Sequence, residues 1–188
     1  MATDYNAGER GSYFYAVLKD GEDNPLAGKK VQIAVNGPIY TVTTDGEGRA
    51  GIMVNLASAN TYTYALVFSG DDEYNAASLA SSKLSVTKKP IDIAVSGLSF
   101  KATAKTKTVT VTLKTSKNPY NGKTYLKSGK KVSITVNGKT YSGSIGNGGV
   151  AKIDIKSLTK KGTYNAVIKF AGDSTYDAAS KTIKITVK

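Results

Sequence analysis

The segment FSGDDEYNAAS at residues 68–78 returns almost unchanged as FAGDSTYDAAS at residues 170–180. In both places it follows a run of alternating apolar residues that ends in Phe, and a Gly-Asp pair then turns the chain toward a Tyr. An Asp in such a turn is suited to accept hydrogen bonds from backbone N–H groups of its own turn. The repetition of this segment predicts two copies of one structural unit.

The Tyr of each copy completes the predicted turn. We expect the rings of Tyr74 and Tyr176 to cover the end of the core while their hydroxyls reach backbone groups, as in a tyrosine corner. Together with Asp71 and Asp173, they predict a structural clasp in each copy. Loss of either ring should destabilise its own copy by about 3 kcal/mol, a usual cost of removing a buried aromatic side chain.

Two further pairs of segments align outside the clasp. GKKVQIAVNG at residues 28–37 matches GKKVSITVNG at residues 129–138, and residues 3–19 lie over residues 98–114. The second copy is longer inside TSKNPYNGKTYLKSG, residues 115–129. We predict that this segment is a loop, because loops absorb insertions.

The repeat predicts two domains, residues 1–89 and residues 90–188. They are joined at VTKKPIDIAV, where Pro90 restricts its own φ angle and the backbone of Lys89. Because so short a linker leaves little reach, we expect the two domains to sit end to end as a semi-rigid rod.

Both copies show the two-residue period of β-strands, with apolar residues on one face and Thr, Ser, Gln and Lys on the other. The second copy has about seven such strands in about 100 residues, which is the pattern of a two-sheet β-sandwich. The Asn-Gly pairs at residues 36–37 and 137–138 predict hairpins. The first copy has no match for IDIAV, residues 91–95, so we expect it to lack its first strand.

The composition excludes several kinds of chemistry. Cysteine and histidine are both absent from the 188 residues, which excludes disulfides, cysteine nucleophiles and histidine acid–base catalysis. The net charge of +12 arises in one half, since residues 1–89 hold eight basic and ten acidic side chains and residues 90–188 hold 18 and four. A lysine-rich half without clustered arginines is typical of a soluble surface, and a basic binding surface is the alternative.

The acidic loops are candidates for two kinds of site. Carboxylates at residues 20–24 and 71–73 would suit Ca²⁺, which takes six or more oxygen ligands, but neither loop matches an EF-hand. Paired carboxylates would suit glycoside hydrolysis, but no nucleophile and base can be paired in this sequence. We therefore interpret the carboxylates as solvated turn residues and predict no enzyme activity, no metal site and no cofactor.

The inserted loop and the lysines that follow it combine aromatic rings with positive charge. Rings and lysines together can stack on a ligand and attract its anionic groups. The candidate contacts for a polyanion or a glycan are Tyr120, Lys123, Tyr125, Lys127, Lys130 and Lys131. A solvated, mobile loop is the alternative interpretation.

The motif FxGDxxYxxxS, preceded by PLAGKKVxIxVNG and followed by an alternating strand, resembles the bacterial immunoglobulin-like (Ig-like) domains of group 3. It also resembles the tandem Ig-like repeats of adhesin-like surface proteins in methanogenic archaea. The resemblance covers essentially the whole chain twice. It implies an all-β protein of two tandem Ig-like β-sandwich domains, in a non-catalytic segment of a larger cell-surface protein that acts as a stalk or spacer and in cell adhesion.

The resemblance also implies a location and partners. We expect an extracellular, monomeric segment whose partner is another cell's surface or a cell-wall polymer or glycan, and we do not expect nucleic acid. The alternative is a binding module whose basic second domain holds an anionic cell-wall polymer, a glycan or a nucleic acid. No apolar run approaches the roughly 18 residues of a membrane-spanning helix.

Overall fold

The computed structural model describes residues 12–117, 122 and 124–188. The chain divides into two compact units, Met1–Thr87 and Lys88–Lys188, which we call domain 1 and domain 2.

This division places Lys88 and Lys89 in domain 2, whereas the sequence predicted a boundary after Lys89. The reason is the backbone of Lys89, which is bonded inside domain 2. Its N–H donates to the Thr175 carbonyl at 2.8 Å, and its carbonyl accepts from the Asp177 N–H at 2.9 Å. The linker thus becomes part of the second domain before Pro90 is reached.

The described part of domain 1 contains six strands in two sheets. They are β1 (Ser12–Val17), β2 (Lys30–Val35), β3 (Ile39–Thr43), β4 (Arg49–Val54), β5 (Asn60–Phe68) and β6 (Ala77–Val86). One sheet has the order β1-β4 and the other has the order β3-β2-β5-β6. All neighbouring strands are antiparallel.

The described part of domain 2 contains eight strands and a 3₁₀ turn at Asn147–Gly149. The strands are β7 (Ile91–Ser96), β8 (Ser99–Phe100), β9 (Thr108–Thr115), β10 (Lys131–Val136), β11 (Lys139–Ser144), β12 (Val150–Asp154), β13 (Gly162–Phe170) and β14 (Ala179–Val187). One sheet has the order β12-β9-β7 and the other has the order β11-β10-β13-β14-β8. Over the described residues of both domains, no helix is long and apolar enough to span a membrane.

The predicted fold class is confirmed: both domains are all-β, Ig-like sandwiches. The central pair β2-β5 of domain 1 corresponds to β10-β13 of domain 2, and β1-β4 corresponds to β9-β12. Among the described strands, β9 pairs with both β7 and β12 whereas β1 pairs with β4 alone, so no described strand of domain 1 takes the place of β7. The sequence did not predict β8, since two residues are too few to show a period.

The alternating residues form a core in each domain. Ile33 of β2 and Ile134 of β10 occupy equivalent positions and are both 0% exposed. The two cores differ in the smaller sheet. Leu113 of β9 is 0% exposed, whereas its equivalent in domain 1, Leu18, is only partly buried. Domain 1 therefore closes its core less completely on the side of β1.

Both predicted Asn-Gly hairpins are confirmed. They connect β2 to β3 and β10 to β11. Asn137 and Gly138 have φ angles of 49° and 72°, which suits the type I′ turn that such a pair favours. Asn36 has a φ angle of 52°, but Gly37 is at 111° and is followed by Pro38.

Candidate functional site

The repeated segment contains a glycine that no other residue can replace without strain. Gly70 and Gly172 have φ angles of +81° and +76°, which side chains with a Cβ rarely adopt. A Cβ on Gly70 would lie 2.8 Å from the Ala76 nitrogen, and one on Gly172 would lie 2.7 Å from the Ala178 nitrogen. The chain can therefore reverse this tightly only with glycine at these two positions.

The aspartate that follows the glycine holds the turn in domain 1. One carboxylate oxygen of Asp71 accepts the backbone N–H groups of Glu73 at 3.0 Å and Tyr74 at 2.9 Å. The Asp71 N–H in turn donates to the Tyr74 carbonyl at 2.9 Å.

Domain 2 repeats this arrangement. Asp173 accepts the N–H groups of Thr175 at 2.8 Å and Tyr176 at 2.9 Å, and its own N–H donates to the Tyr176 carbonyl at 3.0 Å. Each clasp is thus a closed set of backbone and carboxylate hydrogen bonds.

A lysine completes each clasp. The Lys29 Nζ lies 2.8 Å from the second Asp71 oxygen and 4.7 Å from the centre of the Tyr74 ring. The Lys130 Nζ lies 2.6 Å from Asp173 and 5.1 Å from the centre of the Tyr176 ring. We had not predicted these lysines as clasp residues, although both follow Gly in the repeated GKK. We had predicted Lys130 as a polyanion contact, and the structure engages it within its own domain instead.

The two clasp tyrosines differ in burial. Tyr176 is 2% exposed and belongs to the core of domain 2, where the backbone of Lys89 runs beside it. Tyr74 is only partly buried and lies outside the described core of domain 1. The ring of Tyr176 therefore covers the core of domain 2 as predicted, whereas the ring of Tyr74 covers the core of domain 1 less completely.

Another pair of tyrosines makes the hydroxyl-to-backbone bond. The Tyr62 hydroxyl donates to the Ser58 carbonyl at 2.8 Å, and the Tyr164 hydroxyl donates to the Lys160 carbonyl at 2.8 Å. Each bond reaches four residues upstream, as in a tyrosine corner. These two tyrosines are not among the residues predicted from the sequence.

The ion pair of domain 1 changes the pKa of both partners. The hydrogen bond from Lys29 lowers the pKa of Asp71, and the N–H groups of Glu73 and Tyr74 lower it further. Hydrogen bonds to Asp71 and then to Glu73 raise the pKa of Lys29. The clasp therefore favours the charged forms of both side chains.

Other loop carboxylates are also held by their own turns. Asp20 accepts the N–H groups of Glu22 and Asn24, each at 2.9 Å. Asp45 accepts those of Glu47 and Arg49, each at 2.9 Å. In the described part of the chain, no group of three or more acidic side chains is arranged to hold a metal ion.

The described residues include only some of the predicted polyanion contacts. Tyr120 and Lys123 lie outside the described residues. Tyr125 is 41% exposed, and Lys127 is partly buried and has a partner of its own.

The remaining candidate, Lys131, lies at a groove that the sequence did not reveal. This groove of about 530 Å³ runs over the larger sheet of domain 2. Its lining combines five polar residues with Val132, Phe170 and three alanines, and the polar residues are Lys131, Lys169, Ser133, Ser142 and Ser180. We call it the Lys/Ser groove. Lysines and hydroxyls on an exposed sheet face can bind anionic groups.

No protein-family model matches the chain, and no curated protein matches it either. Several solved structures are similar. Invasin, a bacterial integrin-binding protein, is 22% identical over 96% of this chain and 37% of its own, with a TM-score of 0.48. The D0-D1 domain of intimin is 15% identical over 93% of this chain and 89% of its own, with a TM-score of 0.33.

A Ca²⁺-stabilized adhesin with which an Antarctic bacterium binds ice is 18% identical over 94% of this chain, with a TM-score of 0.34. The chain spans 43%, 37% and 55% of the length of the first three structures found. At these identities the likeness concerns the fold alone. The structural neighbours include bacterial adhesin domains and fibronectin(III)-like modules.

We predict that domain 1 depends on the charge of Asp71. Because the pKa of Asp71 is lower in the folded state, its carboxylate stabilises the fold above about pH 4, and this stabilisation is lost as the pH falls through the folded-state pKa. Asp71→Asn should therefore lower the melting temperature of domain 1 at neutral pH, and the difference should shrink below about pH 4. Calorimetry over this pH range measures the effect. Asp72→Asn, at the exposed neighbouring carboxylate, is the control and should change little.

A second prediction concerns the two rings. Tyr176→Ala should destabilise domain 2 by about 3 kcal/mol or more, since it removes a fully buried aromatic side chain. Tyr74→Ala should destabilise domain 1 by less than half of that amount, because the ring is only partly buried. Denaturant unfolding of both variants, compared with Tyr176→Phe and Tyr74→Phe, measures this difference. Equal losses in the two domains would contradict the assigned burial.

Proposed function

We propose that the chain is a non-catalytic pair of Ig-like repeats in a larger cell-surface protein, and that the repeats carry tension as a stalk that keeps an attachment site away from the surface. The resemblance of FxGDxxYxxxS to the repeats of adhesin-like proteins supports this proposal. The observation that carries it is the parallel pairing of β8, the second strand of domain 2, with β14, its last strand.

This pairing suits resistance to force. Leu98 and Phe100 accept the N–H groups of Thr186 and Lys188, both at 2.8 Å, and the Ala102 N–H donates to the Lys188 carbonyl at 2.7 Å. Tension applied through the chain pulls β8 toward its start and β14 toward its end. Because the strands are parallel, their hydrogen bonds lie across the direction of pulling and must break together.

The repeated side chains support a structural role as well. In both copies the clasp aspartate is bonded to its own turn, the clasp lysine to that aspartate, and the strand tyrosine to an upstream carbonyl. Residues that recur in both domains are thus used within each domain. A module that is multiplied to build length needs such internal bonds in every copy.

Pulling single molecules of the full chain by its two ends tests the proposal. We expect the unfolding of domain 2 to release about 300 Å of chain at a high force. Ala102→Pro removes the N–H that bonds to Lys188 and should lower this force. The unfolding force of domain 1 should not change. Lys105→Pro in the same connection is the matched control. Unfolding of domain 2 at low force, or at the same force in the Ala102→Pro variant, would overturn the proposal.

The Lys/Ser groove favours a second candidate function, in which domain 2 binds an anionic polymer or glycan. Lys131 and Lys169 are both exposed at this groove and add positive charge to the most basic part of the chain. Lys130 is not included, because its ammonium belongs to the clasp.

Heparin retention tests this second candidate. The double variant Lys131→Glu, Lys169→Glu should elute from immobilised heparin at a clearly lower salt concentration than the unchanged chain, because fewer counterions are released on binding. The matched control is Lys152→Glu, Lys156→Glu, which makes the same change in net charge at two exposed lysines outside the groove. Equal elution of the two double variants would show that only net charge matters and would reject the groove as a site.

A further inference from the structure

An apolar groove lies beside the edge of β1 with which no described strand pairs. It has a volume of about 270 Å³ and lies between β1, β5 and β6. We call it the β1 groove, and its lining includes Ala16, Leu18, Val31, Leu66, Phe68 and Leu79. An unpaired strand edge next to apolar surface favours pairing with another segment, because both the backbone groups and the side chains gain partners.

Domain 2 contains a strand at the equivalent place. β7 pairs antiparallel with β9, the equivalent of β1, and contacts β14, the equivalent of β6. Ile93 of this strand lies opposite Leu113, and Val95 lies opposite Val111. Ile93 is 3% exposed, and Leu113 and Val111 are 0% exposed. In domain 2 the strand thus fills the space that the β1 groove occupies in domain 1.

The floor of the β1 groove matches the surface that β7 covers. The sequence repeat places Leu18 over Leu113 and Ala16 over Val111. Leu18 and Ala16 are both only partly buried. A strand with the spacing of β7 would set one aliphatic side chain opposite each of them, and burial of these surfaces would stabilise the pairing.

The chain before β7 makes a further contact in domain 2. Lys89 forms an isolated parallel bridge with Tyr176, whose ring is 2% exposed. In the described part of domain 1, no such bridge reaches Tyr74, and its ring is partly exposed. Among the described residues of domain 1, no segment takes the place of β7 and of the residues before it, and this one difference accounts for both the groove and the partly exposed Tyr74 ring.

The rim of the β1 groove indicates an apolar occupant. In domain 2, the Lys181 Nζ donates to the Ile93 carbonyl at 2.7 Å and so ties β14 to β7. The strand register places Leu79 at the equivalent position of β6, where it is 45% exposed. Domain 1 thus has an aliphatic side chain where domain 2 has an ammonium group.

We propose that the β1 groove is an acceptor site for a β-strand, and that its occupant is an extended polypeptide segment with aliphatic side chains at alternate positions, as in Ile91, Ile93 and Val95. The segment pairs antiparallel with β1, and the residues before it cover Tyr74. Backbone hydrogen bonds to the edge provide affinity, and the alternate side chains in the groove provide specificity. This assembly site is independent of the proposed response of domain 2 to force.

A peptide with the sequence of residues 88–97, KKPIDIAVSG, tests the acceptor site on the full chain. We expect saturable binding in isothermal titration calorimetry. Hydrogen exchange should show new protection in β1, and the NMR signals of the Tyr74 ring should shift. The same peptide with Ile93→Asp should bind about tenfold more weakly or worse, because it brings an unpaired charge into the groove.

Two variants of Leu79 test whether the side chains of the β1 groove, and not only the backbone edge of β1, contribute to peptide binding. Leu79→Lys introduces the residue type of Lys181, which bonds to β7 in domain 2, and this variant should retain peptide binding. Leu79→Glu places a carboxylate where Lys181 donates to a carbonyl, and it should weaken binding about tenfold. Leu79 is 45% exposed, so we expect the fold to tolerate both substitutions.

Four results would overturn the proposal. The first is the absence of binding by KKPIDIAVSG, and the second is equal binding by the Ile93→Asp peptide. The third is new protection in domain 2 alone. The fourth is self-association of the chain through β1 with no response to the peptide, which would make a second copy the occupant.

Discussion

A glycine with positive φ, followed by an aspartate that accepts two backbone N–H groups, reverses the chain at the end of the central strand in each domain. Gly70 and Gly172 permit the reversal because a Cβ would meet backbone atoms there. The reversal sets Phe68 opposite Ala77 and Phe170 opposite Ala179. In domain 2 the pairing of the last two strands keeps this register throughout, whereas in domain 1 the register shifts between Tyr64 and Leu66. The starting register matters because a slip by one residue at the turn would exchange the two faces of the strand that follows.

The same clasp has different surroundings in the two domains. In domain 2 the entering chain is bonded on both sides, from Lys89 N–H to Thr175 and from Asp177 N–H to Lys89. Tyr176 is buried as a result, and the linker, the clasp and the core form one unit. In domain 1 the clasp keeps its lysine and its carboxylate, but Tyr74 remains partly exposed. The burial of this ring therefore depends on the segment that enters a domain and not on the repeated motif itself.

The sequence predicted the features that depend on local spacing. The period of two residues identified the strands, the Asn-Gly pairs identified the hairpins, and the unmatched IDIAV indicated that β7 has no counterpart among the described strands of domain 1. Contacts between distant residues were missed. Lys29 and Lys130 reach aspartates more than 40 residues away, with nothing in their own segments to show it. The Lys/Ser groove was missed for the same reason, because its residues come from four strands that only the folded sheet brings together.

The two domains share a fold but differ in the residues on the outer faces of their smaller sheets. Tyr13, Tyr15 and Val17 of β1 are between 43% and 58% exposed, and the repeat places threonines of β9 at these positions. In domain 2, β7 pairs with this edge, and the positions equivalent to the three exposed residues are Thr108, Thr110 and Thr112. Domain 1 combines an edge with which no described strand pairs, exposed rings and an apolar groove. Exposed aromatic and aliphatic surface of this kind is typical of a face that joins another chain segment, since solvation alone would favour the threonines.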